Sequence, residues 1–187
     1  MGTHNRLTLI ASPTFPQAYL EIIAINPKAT PTKARTQARW FGFDEAAVHD
    51  RLQAHGPQLV HWVARVPNLA DALAQCTGAG VDIGKPVPAS RMTASGLLSW
   101  SIAIRPDGHL SHGAVMPTLI SWGPQHPSAT MASSGIHLKA FTCSHPQAAT
   151  LNALWQALGG SSTCFVAGPV GLRALIETPQ GEVCVGS

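Results

Sequence analysis

The segment QLVHWVARV, Gln58–Val66, constrains the fold more than any other stretch of the chain. Its side chains alternate with period two. Val60, Trp62, Ala64 and Val66 share one face, and Leu59, His61, Val63 and Arg65 share the other. Pro67-Asn68 breaks this strand, after which Leu69, Ala72, Leu73 and Cys76 recur at helical spacing, with Gly78 and Gly80 to end the helix. Strands are expected next near Lys85–Met92, Leu97–Arg105 and Val115–Trp122. The resulting order is β-α-β-β-β.

Gly, Pro and Ser interrupt the pattern across 123–135, and the order then recurs more loosely. GIHLKAFTC reads as a strand, Ser144-His145-Pro146 as a capped helix start, and Leu151, Leu154, Trp155 and Leu158 as the buried stripe of that helix. Short strands near Thr163–Ala167, Gly171–Thr178 and Glu182–Val185 complete the unit. The chain opens with two strands, about Arg6–Ser12 and Ala18–Asn26, which read as the tail of a further copy. A Pro/Thr/Lys-rich loop over 26–39 and a short helix follow. That helix is expected to be capped by Asp44, to carry Val48 and Leu52 inward and to stop at Gly56.

Composition narrows the class. The chain has 187 residues, 45% of them hydrophobic and 11% charged, enough for one domain with a core and too apolar for disorder. The net charge of +3 is scattered apart from a loose group at Lys28, Lys33, Arg35 and Arg39, which argues against a nucleic-acid surface. No apolar run approaches the roughly 18 residues that span a bilayer, and no signal peptide is evident, so no membrane partner and a cytoplasmic location are expected. Cys76, Cys143, Cys164 and Cys184 show no C-x-x-C pairing and read as buried free thiols.

The phrases MGTHNRLTLI, AYLEIIAINP, RWFGFDE, LVHWVARV, SRMTASGLLSWSIAI and VMPTLISWG resemble the glyoxalase-like domain proteins of the vicinal oxygen chelate superfamily, over nearly the whole chain and least after Gly135. The resemblance implies a single α+β domain of β-α-β-β-β modules whose curved sheets form a cup. The partial first module (1–57) lacks its initial strand and helix, the second spans 58–123, and a divergent third spans 135–187. Within that pattern either the true start lies upstream or the protein is shortened. It also implies ligand positions at Glu21 and His61, with Ser121 at the matching place on the last strand of module two. Carboxylate plus neutral imidazole suits Zn, Mn, Fe or Ni, whereas a serine is a poor ligand for such ions.

Both residues sit on strand faces that alternation would turn toward the cup: Tyr19, Glu21 and Ile23 on one, Leu59, His61 and Val63 on the other. His4 is a candidate third ligand, His109 and His112 read as part of a solvated hairpin loop, and His137 reads as structural. Arg65 and Arg91 are candidate anion clamps, with Trp100 as an apolar wall or a core residue. Two functions remain open. One is a divalent-metal-dependent lyase, isomerase or dioxygenase acting on a small oxygenated substrate, with Glu21 and His61 catalytic. The other is a metal-free module that binds an aromatic or amphipathic small molecule. An open sheet edge points to a homodimer.

Overall fold

The computed structural model describes residues 2–28 and 38–187. The loop expected over 26–39, with Lys33 and Arg35, therefore lies largely outside the described residues. β1 (Thr3–Leu9) and β2 (Tyr19–Ile25) form an antiparallel ribbon in which Leu7 pairs with Glu21 and Asn5 with Ile23. The ribbon is rooted in the far half of the molecule. The Ile10 carbonyl accepts the Leu138 N–H at 2.8 Å, and Ser12 Oγ donates to the Leu138 carbonyl at 2.7 Å.

α1 (Ala46–His55) begins one residue later than expected, with Glu45 at the cap position and no side-chain cap bond. Asp44 is drawn away from capping because its carboxylate accepts the Arg39 N–H at 2.6 Å and pairs with the Arg39 guanidinium. α1 then stops at Gly56, which has a φ of 74° that a side chain would resist.

The second module follows the sequence closely. β3 (Val63–Arg65), α2 (Leu69–Gly78), β4 (Lys85–Thr93), β5 (Gly96–Ile104) and β6 (Thr118–Trp122) build a sheet of order β3-β6-β5-β4. Asn68 caps α2 by accepting the Ala70 and Asp71 N–H groups. β3 is shorter than expected because its parallel pairing with β6 covers only Val63–Thr118, Ala64–Leu119 and Arg65–Ile120. The alternation holds: Ala64 and Val66 are buried in the core, and Arg65 is exposed on the other face.

The third unit keeps the element order but not the strand order. β7 (His137–Ser144), α3 (Ala148–Ala157), β8 (Cys164–Val166), β9 (Gly171–Thr178) and β10 (Gly181–Gly186) pair as β10-β9-β7-β8. Its first strand lies between two others, whereas β3 lies at an edge, because β8 returns to pair in parallel with β7 directly. The helix starts after Pro146, with Gln147 rather than Ser144 at the cap position.

One hydrophobic core joins both sheets with α2 and α3. Trp62 sits at the joint, with its ring centroid 5.1 Å from Phe141 and 5.1 Å from Trp155, and its Nε1–H donates to the Val115 carbonyl at 2.9 Å. Cys76 and Cys143 are buried free thiols as expected. Cys164 and Cys184 are exposed, because they occupy outward positions of β8 and β10. Among the described residues no helix is long and apolar enough to cross a membrane.

Candidate functional site

Register decides which polar residues can meet. On the four-stranded sheet Arg91 pairs with Leu98, Trp100 with Trp122, and Ile102 with Ile120, which pairs in turn with Arg65. Paired residues project to the same side. Arg65, Arg91, Trp100 and Trp122 therefore share one face. Ser121 pairs with Ser101 one position out of phase, beside core-facing Leu119, so its side chain points to the opposite, helix-covered face.

The shared face borders a hollow of about 390 Å³ between the ribbon, the β4–β5 hairpin and the turn after β6. Leu7, Arg91, Leu98, Gln125, His126 and Met131 are among its walls. Its size falls within the range of ordinary small-molecule sites. Beside it runs a chain of aromatic rings. Trp100 and Trp122 lie 5.5 Å apart, Trp122 and His126 5.4 Å, and His126 and Tyr19 6.0 Å.

His126 is held by its own turn. The Ser128 N–H donates to Nδ1 at 3.3 Å and Ser128 Oγ lies 2.7 Å from the same atom. Burial and then the nearby Arg65 guanidinium lower its pKa, so the ring is neutral at pH 7 and carries its hydrogen on Nε2. Nε2 makes no hydrogen bond among the described residues. Tyr19 is pushed up to about 12 by burial and then by the Glu21 charge, with Arg91 partly opposing, so its phenol stays protonated. Arg91 itself makes no hydrogen bond or ion pair among the described residues, whereas Arg65 donates from Nη1 to Gln17 Oε1 at 2.6 Å.

Glu21 lies on the ribbon, opposite Leu7 of the hollow's wall, where it accepts a hydrogen bond from Asn5 Nδ2 at 2.5 Å. His61 lies at the far end of the four-stranded sheet. The Thr118 N–H donates to its Nε2 at 3.2 Å and Thr118 Oγ1 sits 2.9 Å away. From Leu98, opposite Arg91, to the strand end near Thr118 is roughly 20 Å at the usual rise per residue.

Two residues with positive φ flank the His61 ring. Phe41, at 63°, stacks on it at 5.4 Å, and Ala114, at 75°, turns its carbonyl toward Nδ1. Nδ1 is buried without closing a hydrogen bond of ordinary geometry. Burial holds the pKa of His61 down at about 3, which the Ala114 carbonyl offsets only in part. The adjacent cavity, about 20 Å³, has room for about one water molecule and none for a substrate.

Among the described residues Glu21 and His61 thus share no partner, and Nε2 of His61 is already occupied. The pair does not fit a common divalent-metal centre. His4, on the exposed outer side of the ribbon with Ile22, cannot complete one.

The sequence model of the glyoxalase-like domain matches residues 1–159. The chain belongs to that family. It is therefore a member of the vicinal oxygen chelate superfamily, and the three α-helices and ten strands among the described residues agree with a glyoxalase-like α+β fold. No curated protein and no solved structure gives a significant match. In this glyoxalase-like domain the wall of the hollow holds one residue that the sequence nominated, Arg91, and Glu21 sits behind it as the ribbon partner of Leu7. Arg65 lies on the same sheet face, beside His126. His126 and Tyr19 were not nominated. His126-Pro127-Ser128 reads as a plain turn, and only the fold carries it back onto Trp122.

Proposed function

We propose that this glyoxalase-like domain binds a small organic molecule in the hollow beneath the β1–β2 ribbon, using side chains rather than a metal held jointly by Glu21 and His61. The supporting observation is the Arg91 guanidinium, without a hydrogen bond or ion pair among the described residues, in the wall of a 390 Å³ hollow whose His126 ring packs on Trp122 and Tyr19. Apolar walls with a few convergent polar groups are the usual form of such sites. The fold is compatible with lyase, isomerase and dioxygenase chemistry and does not choose among them.

A thermal-shift screen of small aromatic and amphipathic compounds, with and without chelator, tests this reading. Stabilisation that survives chelator is the expected result. Stabilisation abolished by chelator would contradict it and favour a divalent-metal-dependent enzyme.

A homodimer belongs to the same reading. The ribbon has only two strands, and Ile22 on its outer side is 64% exposed, so a second copy can pair with or cover it. Sedimentation as a monomer at micromolar concentration would count against a dimer.

A further inference from the structure

We propose that the hollow selects a planar aromatic carboxylate, with its anion on Arg91, its ring against Leu7, Leu98 and the His126 ring that packs on Trp122, and Nε2–H of His126 donating to an oxygen of the ligand. This rests on the binding reading above and names the chemical class that the site would take.

The sign of the charge follows from what surrounds the hollow. Arg91 lies in the wall with all its N–H groups unclaimed among the described residues, and Arg65 lies close enough to His126 to lower its basicity. The hollow has no carboxylate in its wall among the described residues, and Glu21, which acts on Tyr19, already accepts from Asn5 Nδ2. Tyr19 keeps its proton and can donate. The groups free to meet a ligand are therefore mainly donors, and a guanidinium fork matches the two oxygens of a carboxylate.

The preference for a flat apolar body follows from the rings. Trp122 and His126 meet edge to face at 75°, and Trp100 tilts against Trp122 at 45°. His126 is the ring of this cluster that lines the hollow, and an aromatic ligand can meet it in offset or edge contact. Leu7, Leu98 and Met131 supply the apolar remainder. A strongly hydrated multivalent anion would gain nothing from these walls.

The test is calorimetric titration of the full-length protein with three probes in chelator: 1-naphthoate, 1-naphthamide (the same ring without the charge) and cyclohexanecarboxylate (the charge without the ring). The expected result is that naphthoate binds at least about tenfold more tightly than either of the others. Arg91→Gln should weaken naphthoate about tenfold or more and leave naphthamide unchanged. His126→Gln should weaken naphthoate less, since it removes one of several contacts. Thermal unfolding of each variant separates lost binding from lost folding.

Equal affinity for naphthoate and naphthamide would overturn the carboxylate assignment while leaving a working cup. Equal affinity for naphthoate and cyclohexanecarboxylate would overturn the aromatic one. Binding of none of the three, while other screened compounds stabilise the protein, would overturn this inference alone. If no compound stabilises it, the binding reading itself fails.

Discussion

The backbone N–H of Thr118 donates to Nε2 of His61 across 3.2 Å, and this bond accounts for an imidazole between Leu59 and Val63 on one face of the segment. It ties the start of β6 to the segment entering β3. Because Nε2 accepts, the ring must be neutral to hold the bond. The folded-state pKa of about 3 lies below the ordinary value of 6.5. Above pH 6.5 both folded and unfolded chains leave this ring neutral, and its contribution to stability is fully present. As pH falls from 6.5 toward 3 the unfolded chain takes up a proton that the folded chain refuses, and stability drops by about 1 kcal/mol per pH unit from this group. His112 and His126, also lowered by burial, add to the slope in the same direction. Urea unfolding at pH 7 and pH 5 should therefore show a smaller pH difference in His61→Gln than in the parent protein. An identical difference in the two proteins would mean that His61 is not buried neutral.

Trp62 carries the joint between the second and third units. Its ring contacts Phe141 and Trp155, and its N–H is used by the Val115 carbonyl. Trp62→Ala should cost about 3–5 kcal/mol, and Trp62→Phe, which keeps a ring but orphans that carbonyl, about 1–2 kcal/mol. Chemical denaturation measures both. A loss below about 1 kcal/mol for the alanine variant would mean that the two units do not depend on this contact.

Binding at the cup should respond to pH through His126. Its ring faces Arg65 and Tyr19, with Glu21 and Arg91 close by, and burial with the Arg65 charge keeps it neutral. An anion placed at Nε2 favours the imidazolium, so binding takes up protons and tightens as pH falls from 8 toward 5, where an aromatic carboxylate is still ionised. Titrations of 1-naphthoate in two buffers of different ionisation enthalpy read this uptake directly. His126→Gln should abolish it.

Arg91 projects from an exposed position with no partner to lose among the described residues. Arg91→Gln should therefore leave the unfolding midpoint within the scatter expected of surface substitutions, about 0.5 kcal/mol. A larger loss would show that the guanidinium supports the fold.

Much of the second module was legible because its apolar period switches sharply, from two in Leu59–Val66 to helical over Leu69–Cys76 and back to two. Trp62, Ala64 and Val66 went to the core as the alternation required. Strand order in the third unit was not legible. The order of elements is written in local periodicity, but whether β7 ends at an edge or between β8 and β9 depends on non-local pairing. The site was legible in part. Alternation turned His61 away from the Trp62 face, and Arg91, nominated as an anion clamp, lies in the wall of the hollow. Alternation could not show that Glu21 lies in the separate β1–β2 ribbon and pairs with Leu7, while His61 is bonded to Thr118 at the start of β6. Ser121 was put on the cup side by analogy of position, and its pairing with Ser101 sends it to the other face.

The most direct test of the account is a two-dimensional NMR titration of the labelled protein with 1-naphthoate in the presence of chelator. The account predicts that the largest shifts fall on the Arg91 side chain, the Trp100 and Trp122 indoles and the His126 ring, while Phe41, His61 and Thr118 stay still. Shifts centred on His61 and Thr118, or shifts that appear only when a divalent ion is added, would contradict it.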